Sequence, residues 1–133
     1  MSHITKINTK KDITSLDKLD QACRLLGTVE LVRNAKEHKY WAGKLAPCDH
    51  KIRVRNNEAA YEIGVVKDGD KWSLNADFFV GGYGLEDAVG KNGGKLLQAY
   101  AVVDGIEAFQ LNGFALTEKT TLPNGAVKCV FEI

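Results

Sequence analysis

Three alternating runs between positions 51 and 78 constrain this chain more than anything else in it. Lys51-Ile52-Arg53-Val54-Arg55 puts apolar side chains on one side and three cations on the other. Tyr61, Ile63 and Val65 repeat the pattern, and so do Trp72, Leu74, Ala76 and Phe78 after the polar loop Lys67-Asp68-Gly69-Asp70-Lys71. A period of two marks a strand with one buried face and one wet face. A short polar loop with a central glycine suits a hairpin. Asn56-Asn57 turns the chain between the first two runs. These three strands therefore predict an antiparallel meander.

The flanking segments add helices. Leu16, Leu19, Ala22, Cys23 and Leu26 fall at helical spacing, with Thr14 or Ser15 as N-cap, Asp17 in the first turn and Gly27 as the stop. Short strands are expected at 3–9, before this helix, and at Val29 to Leu31, after it. Residues 33–50 hold no firm period and Pro47 breaks them, which predicts a loop or irregular excursion. Six glycines, at 81, 82, 84, 90, 93 and 94, predict a glycine-rich loop. A second helix is expected from about Lys95, with Gly105 weakening or ending it and Gly113 as the last stop. A strand at Tyr100-Ala101-Val102-Val103 competes with that helix. The chain closes on a hairpin, Phe114 to Thr121, a Pro123-Asn124-Gly125 turn, and Val127, Cys129, Phe131 and Ile133 on one face. Strands outnumber helices and few crossovers join them. The expectation is one α+β domain over 1–133, an antiparallel sheet with two helices packed on one face.

Composition narrows the class. Apolar residues are 44% and charged residues 26% of 133, near the globular averages of about 45–50% and about 25%. A disordered chain, a coiled coil and a disulfide scaffold are disfavoured. Net charge is +1, which names no partner. Three cysteines, Cys23, Cys48 and Cys129, make an odd, widely spaced set. With no signal peptide or membrane span in sight, a reducing, cytoplasmic location is the simplest expectation, with no membrane partner. Removal of Met1 before the small Ser2 is expected. Cys23 and Cys129 read as core residues.

The chain's motifs offer little linear support for catalysis or metal binding. Between Gly84 and Gly90 lie five residues, and Asn92 follows Lys91, so the phosphate-loop pattern of four residues followed by Gly-Lys-Ser/Thr is not met. Lys91 and Lys95 remain candidates to neutralise an anion beside this loop. Cys48, His50 and His38 are a poor zinc set, lacking the usual spacing and a fourth ligand, so no metal or cofactor is expected. His3, His38 and His50 sit in no hydrolase-type elbow, and no linear constellation supports a catalytic nucleophile. The sharper signal is charge. From Arg33 to Arg55 seven cations face two acids, with Tyr40 and Trp41 embedded among them. Cations beside aromatics suit a phosphorylated, stackable ligand. A solvated sheet face explains the same charges. Arg53 and Arg55 are the favoured ligands, two apart on one side of a strand and carrying the fork that matches phosphate.

Several runs resemble a known family, the hypothetical chloroplast reading frame thirty-five family. It is a domain of unknown function found in plastids, cyanobacteria, other bacteria and phages. Ser2-His3 with Ile7 and Thr9, Leu25-Leu26-Gly27, Tyr61-Glu62-Ile63-Gly64, Asn75-Ala76-Asp77-Phe78-Phe79, Gln98-Ala99-Tyr100-Ala101, Gly113-Phe114 and Asn124-Gly125 are similar to its runs in order and spacing. The sequence departs from them at Glu62 and Phe78-Phe79, and residues 33–57 match poorly. The resemblance implies a small α+β protein, at times encoded near an AAA-type ATPase and often carried by phages. It implies no established activity or catalytic residue.

The leading expectation is a non-catalytic binding protein for an anionic small ligand such as a nucleotide. In a phage setting, which comes from the resemblance, it would act as a sponge for a host immune signalling nucleotide in the host cytoplasm. The expected ligand-binding residues are Arg53, Arg55, Tyr40, Trp41, Lys91 and Lys95. The alternative is an adaptor docking on a protein partner such as an AAA-type ATPase through a sheet edge, for instance the C-terminal hairpin. A cryptic enzyme using Tyr61, Asp77, Gln98 or Tyr100 is the third reading. A homo-oligomer would deepen the shallow site of a small single sheet.

Overall fold

A computed structural model describes residues 3–124 and 126–133. The expectations for Met1 and Ser2, and the Gly125 position of the last turn, lie outside the described residues. The expected meander forms the centre: β5 (His50–Val54), β6 (Ile63–Asp68) and β7 (Lys71–Ala76) pair antiparallel, Ile52 opposite Ile63 and Val65 opposite Leu74. At the edges lie β1 (Thr5–Lys6) against β7 and β2 (Val29–Val32) against β5, giving the order β1-β7-β6-β5-β2. The fold is α+β with a five-stranded antiparallel sheet.

One face of that sheet is largely apolar, with Ile52 opposite Ile63 and Val65 opposite Leu74. Ile52, Ile63, Val65, Leu74 and Ala76 are fully buried there. They join Leu19, Ala22 and Cys23 of helix α1 (Leu16–Leu26) and Leu96, Ala99 and Tyr100 of helix α3 (Gly94–Leu111) in one core. Helix α1 begins and ends as its residues require. The Ser15 hydroxyl accepts the Lys18 N–H at 3.2 Å, and Gly27 leaves the helix at φ 79°. Helix α3 runs unbroken through Gly105 for 18 residues, so the competing strand at 100–103 does not form. Apolar contacts of Leu96, Ala99, Tyr100 and Val103 outweigh the cost of about 1 kcal/mol for a helical glycine.

Residues 33–50 are more ordered than their sequence suggests. Strands β3 (Glu37–Lys39) and β4 (Leu45–Pro47) make a small hairpin joined by a 3-10 turn at Trp41–Gly43. The hairpin lies on the face of the sheet away from the helices. There the His38 ring sits on Gly64, where an added Cβ would meet His38 Cδ2 at 2.5 Å. That contact explains a glycine in the middle of a strand.

The glycine-rich stretch is also a packed element and not a bare loop. It holds helix α2 (Leu85–Val89), with Leu85, Ala88 and Val89 buried. Before it, Val80, Gly81, Gly82 and Tyr83 all take left-handed backbone angles, with φ from 52° to 64°. Gly90 turns the chain into the following helix at φ 84°, where a Cβ would come within 2.7 Å of the Lys95 amide nitrogen. At the C-terminus, β8 (Ala115–Thr121) and β9 (Val127–Glu132) form the expected hairpin, but it makes its own two-stranded sheet. Cys129 is therefore half-buried on that ribbon and not a core residue, unlike Cys23, which is fully buried.

Candidate functional site

Three of the seven cations of the basic segment, Arg33, Lys51 and Arg53, are paired with carboxylates. Arg53 Nε lies 2.9 Å from Glu30 Oε1 on β2, and Lys51 Nζ lies 3.0 Å from Glu62 Oε2 just before β6. Arg33 reaches Asp17 at 2.8 Å, and Lys39 Nζ donates to the Glu58 carbonyl. Lys44 Nζ stands 4.9 Å from the Trp41 ring centre. Lys36 and Arg55 form no ion pair among the described residues. The excess of cations counted along the chain thus overstates the field, because Glu30 and Glu62 lie outside the counted window but face it in space. The cavity beside Arg53, about 330 Å³, is shared with Glu58 and Glu62 and is a poor place for an anion. Arg55 lies past the end of β5. Trp41 packs its side chain against the core, and Tyr40 sits 6.4 Å from His38, ring centre to ring centre. Tyr40 and Trp41 are not among the residues lining the Arg53 cavity.

The two histidines of the middle segment sit on opposite faces of the sheet. His38 lies on the outer face with Nδ1 3.2 Å from the Glu62 carbonyl. His50 lies on the helix face, 5.0 Å from Trp72 edge to face, and its Nδ1 accepts the Asn34 N–H at 2.9 Å. Burial pushes both imidazoles below their ordinary value. The sheet thus separates His38 from His50, and Cys48 with them makes no shared ligand set.

The polar residues of the family-like runs also have definite tasks. The Tyr100 hydroxyl accepts N–H groups from Thr14 and Ser15, each at 3.2 Å, and so ties α3 to the start of α1. Asp77 is buried beyond the end of β7. Its Oδ1 accepts the Phe79 N–H at 2.9 Å, which starts the left-handed turn, while Oδ2 has no hydrogen-bond partner among the described residues. Burial, then the nearby Tyr83 and Asp77, push the Tyr61 phenol up. Gln98 is the exposed member of this set, and Tyr100 lines the same groove.

Gln98 lines a groove of about 500 Å³ where the loop between β1 and α1 meets the start of α3. Lys10, Lys11 and Lys91 form its cationic rim, and Ile13, Leu97 and Ala101 its apolar floor. Lys11 is paired with Asp104, whose carboxyl it and Lys18 hold below the usual range. Lys10 and Lys91 form no ion pair among the described residues. The groove includes Asn92 and Gly94, at the N-terminus of an 18-residue helix that no side chain caps. Free N–H groups at such an end favour a negative charge. Lys91 is thus the expected site residue that lies in a receptive place. Lys95 packs against Gly90 and does not line the groove. Lys10 was not foreseen, and no linear signal joins it to a lysine 81 positions later.

No family model, no curated protein and no solved structure matches this chain. No helix among the described residues is long and apolar enough to cross a membrane.

Proposed function

We propose that this protein binds an anionic small ligand of nucleotide type in the groove at the start of α3, and acts by holding that ligand. The observation that carries the reading is the pairing of two lysines free of carboxylates, Lys10 and Lys91, with an uncapped helix N-terminus over an apolar floor. The lysines and N–H groups suit a phosphate, and Leu97, Ile13 and Ala101 suit a flat ring. Gln98 offers both a donor and an acceptor to the edge of a base. A groove of about 500 Å³ is within the range of small-ligand sites. Capture without turnover would withdraw a signalling nucleotide from solution, the sponge role that the phage setting suggests.

Native mass spectrometry with a panel of linear and cyclic nucleotides tests it. The wild-type chain should retain at least one, and Lys10→Ala with Lys91→Ala should weaken retention by about tenfold or more, since each lost charged hydrogen bond is worth about 1.5–3 kcal/mol. Arg53→Ala should bind as wild type does. No retention by any form, or loss on Arg53→Ala in place of the lysine pair, would overturn the reading.

Exposed Phe79, Val80 and Tyr83 on the left-handed turn favour a second reading, an adaptor that docks on a protein such as an AAA-type ATPase. It predicts a stable complex that Val80→Asp with Tyr83→Ala abolishes, and no nucleotide retention.

A further inference from the structure

The C-terminal hairpin is short of partners. Every described residue of β8 and β9 is at least partly exposed, and the ribbon meets the body chiefly through Phe109, stacked on Phe131 at 4.5 Å and edge-on to Phe114 at 5.5 Å. A two-stranded ribbon is marginal in water, and a third strand is the usual remedy. Its two free edges differ. The β8 edge is interrupted by a bulge between Leu116 and Glu118, which blunts it for pairing. The β9 edge is regular from Val127 to Glu132.

The residues of β9 select their own partner. A second β9 laid antiparallel about a two-fold axis at Val130 sets Lys128 of one copy against Glu132 of the other, and Glu132 against Lys128. The same register sets Cys129 against Phe131, Val127 against Ile133, and Val130 against itself. Moving the register by one residue would place the apolar row Val127, Cys129, Phe131 and Ile133 against the row that holds both charges, and would mismatch the backbone hydrogen bonds. Moving it by two residues toward the strand start sets Glu132 opposite Ala126. Moving it by two toward the end sets Glu132 opposite Val130. Only the register centred on Val130 pairs both charges and keeps the apolar residues on one side. Ile133, fully exposed in the single chain, and the half-buried Val127 then cover each other.

We infer that β9 is the interface of a symmetric homodimer, in which two hairpins join as a four-stranded sheet in the order β8-β9-β9-β8. The two-fold relation makes the contact self-complementary and closed. Opposite charges directly across a strand pair stabilise it, and like charges oppose it.

Sedimentation velocity on the full chain over a range of concentrations tests this. The wild type should form a species of twice 14.6 kDa. Lys128→Glu alone, or Glu132→Lys alone, should weaken the dimer by about tenfold, because each places like charges across the axis twice. Lys128→Glu combined with Glu132→Lys should restore it. Far-UV circular dichroism on each variant confirms folding, and the double exchange keeps the test valid if one single variant fails to fold. A wild type that stays monomeric at all concentrations overturns the inference. So does a dimer that ignores the single reversals, or a double exchange that fails to dimerise, each of which would assign the contact to another surface or another partner.

Discussion

Replacing Gly64 with alanine tests how the excursion at 33–50 docks on the sheet. Gly64 has ordinary strand angles, so alanine brings no backbone strain and would by itself stabilise by about 0.4–1 kcal/mol through the unfolded chain. The added Cβ, however, would lie 2.5 Å from His38 Cδ2 and 2.6 Å from Nε2. His38 is only 1% exposed and cannot yield into solvent without moving β3. Its Nδ1 contact to the Glu62 carbonyl, at 3.2 Å, would go with it, and so would the bond from Lys39 N–H to Glu62 Oε1 at 2.8 Å. Overpacking costs about 1–3 kcal/mol and a lost hydrogen bond about 1 kcal/mol. The net loss should be about 2 kcal/mol, read as a lower urea midpoint at unchanged slope. His38→Ala opens the space that the new Cβ needs. In that background Gly64→Ala should be neutral or stabilising, so the double-mutant cycle should show a coupling of about 2 kcal/mol. Additive effects, or a harmless Gly64→Ala in the parent, would refute the docking of the His38 ring on the sheet.

Four further outcomes follow from particular residues. Val80 is a β-branched residue at φ 52° with its side chain largely exposed, so Val80→Asn should raise stability by about 1 kcal/mol in thermal unfolding, since asparagine tolerates left-handed angles. His38 and His50 have folded values lowered below 6.5 by burial, so the unfolded chain binds protons more readily. Stability should be full above that value and fall as pH drops through the lowered native values, and urea midpoints from about pH 7 to about pH 5 measure it. Burial pushes both the Cys23 and Cys48 thiols up, Cys23 to about 12, but Cys23 is fully buried and Cys48 half-exposed, so Cys48 should react slowly with a thiol reagent in the native state and Cys23 only once the chain unfolds. Asp104→Asn removes the carboxylate that holds Lys11, and should tighten anion binding about threefold in calorimetry while lowering stability by about 1 kcal/mol.

The fold was legible where a period lasted long enough to be counted. The helix Leu16–Leu26 was announced by its eleven residues with the Ser15 cap before them and the Gly27 stop after them, and the strands around Ile52, Ile63 and Leu74 carried their alternation. The hairpin at 37–47 was not legible. Its strands are three residues long, and three non-glycine residues near it, Asn34, Lys36 and Ala42, take left-handed angles that no composition rule announces. Helix α2 was hidden in the same way, five residues among glycines. The site was legible only in part. Lys91 could be singled out because it stands beside a helix start. The pairing of Arg53 with Glu30 was not legible, because Glu30 comes from a neighbouring strand. Lys10 lay beyond reach, since a groove is made by the fold and not by a window of sequence.

Anion binding at the start of α3 is directly measurable. The most direct test is a titration of the isotope-labelled chain with adenosine monophosphate, followed through backbone amide shifts in two-dimensional NMR. Saturable shifts confined to the amides of 91–98 and 8–13, and lost in the Lys10→Ala, Lys91→Ala variant, are predicted. Shifts centred on 51–55, or none at any concentration with the whole nucleotide panel, would contradict it.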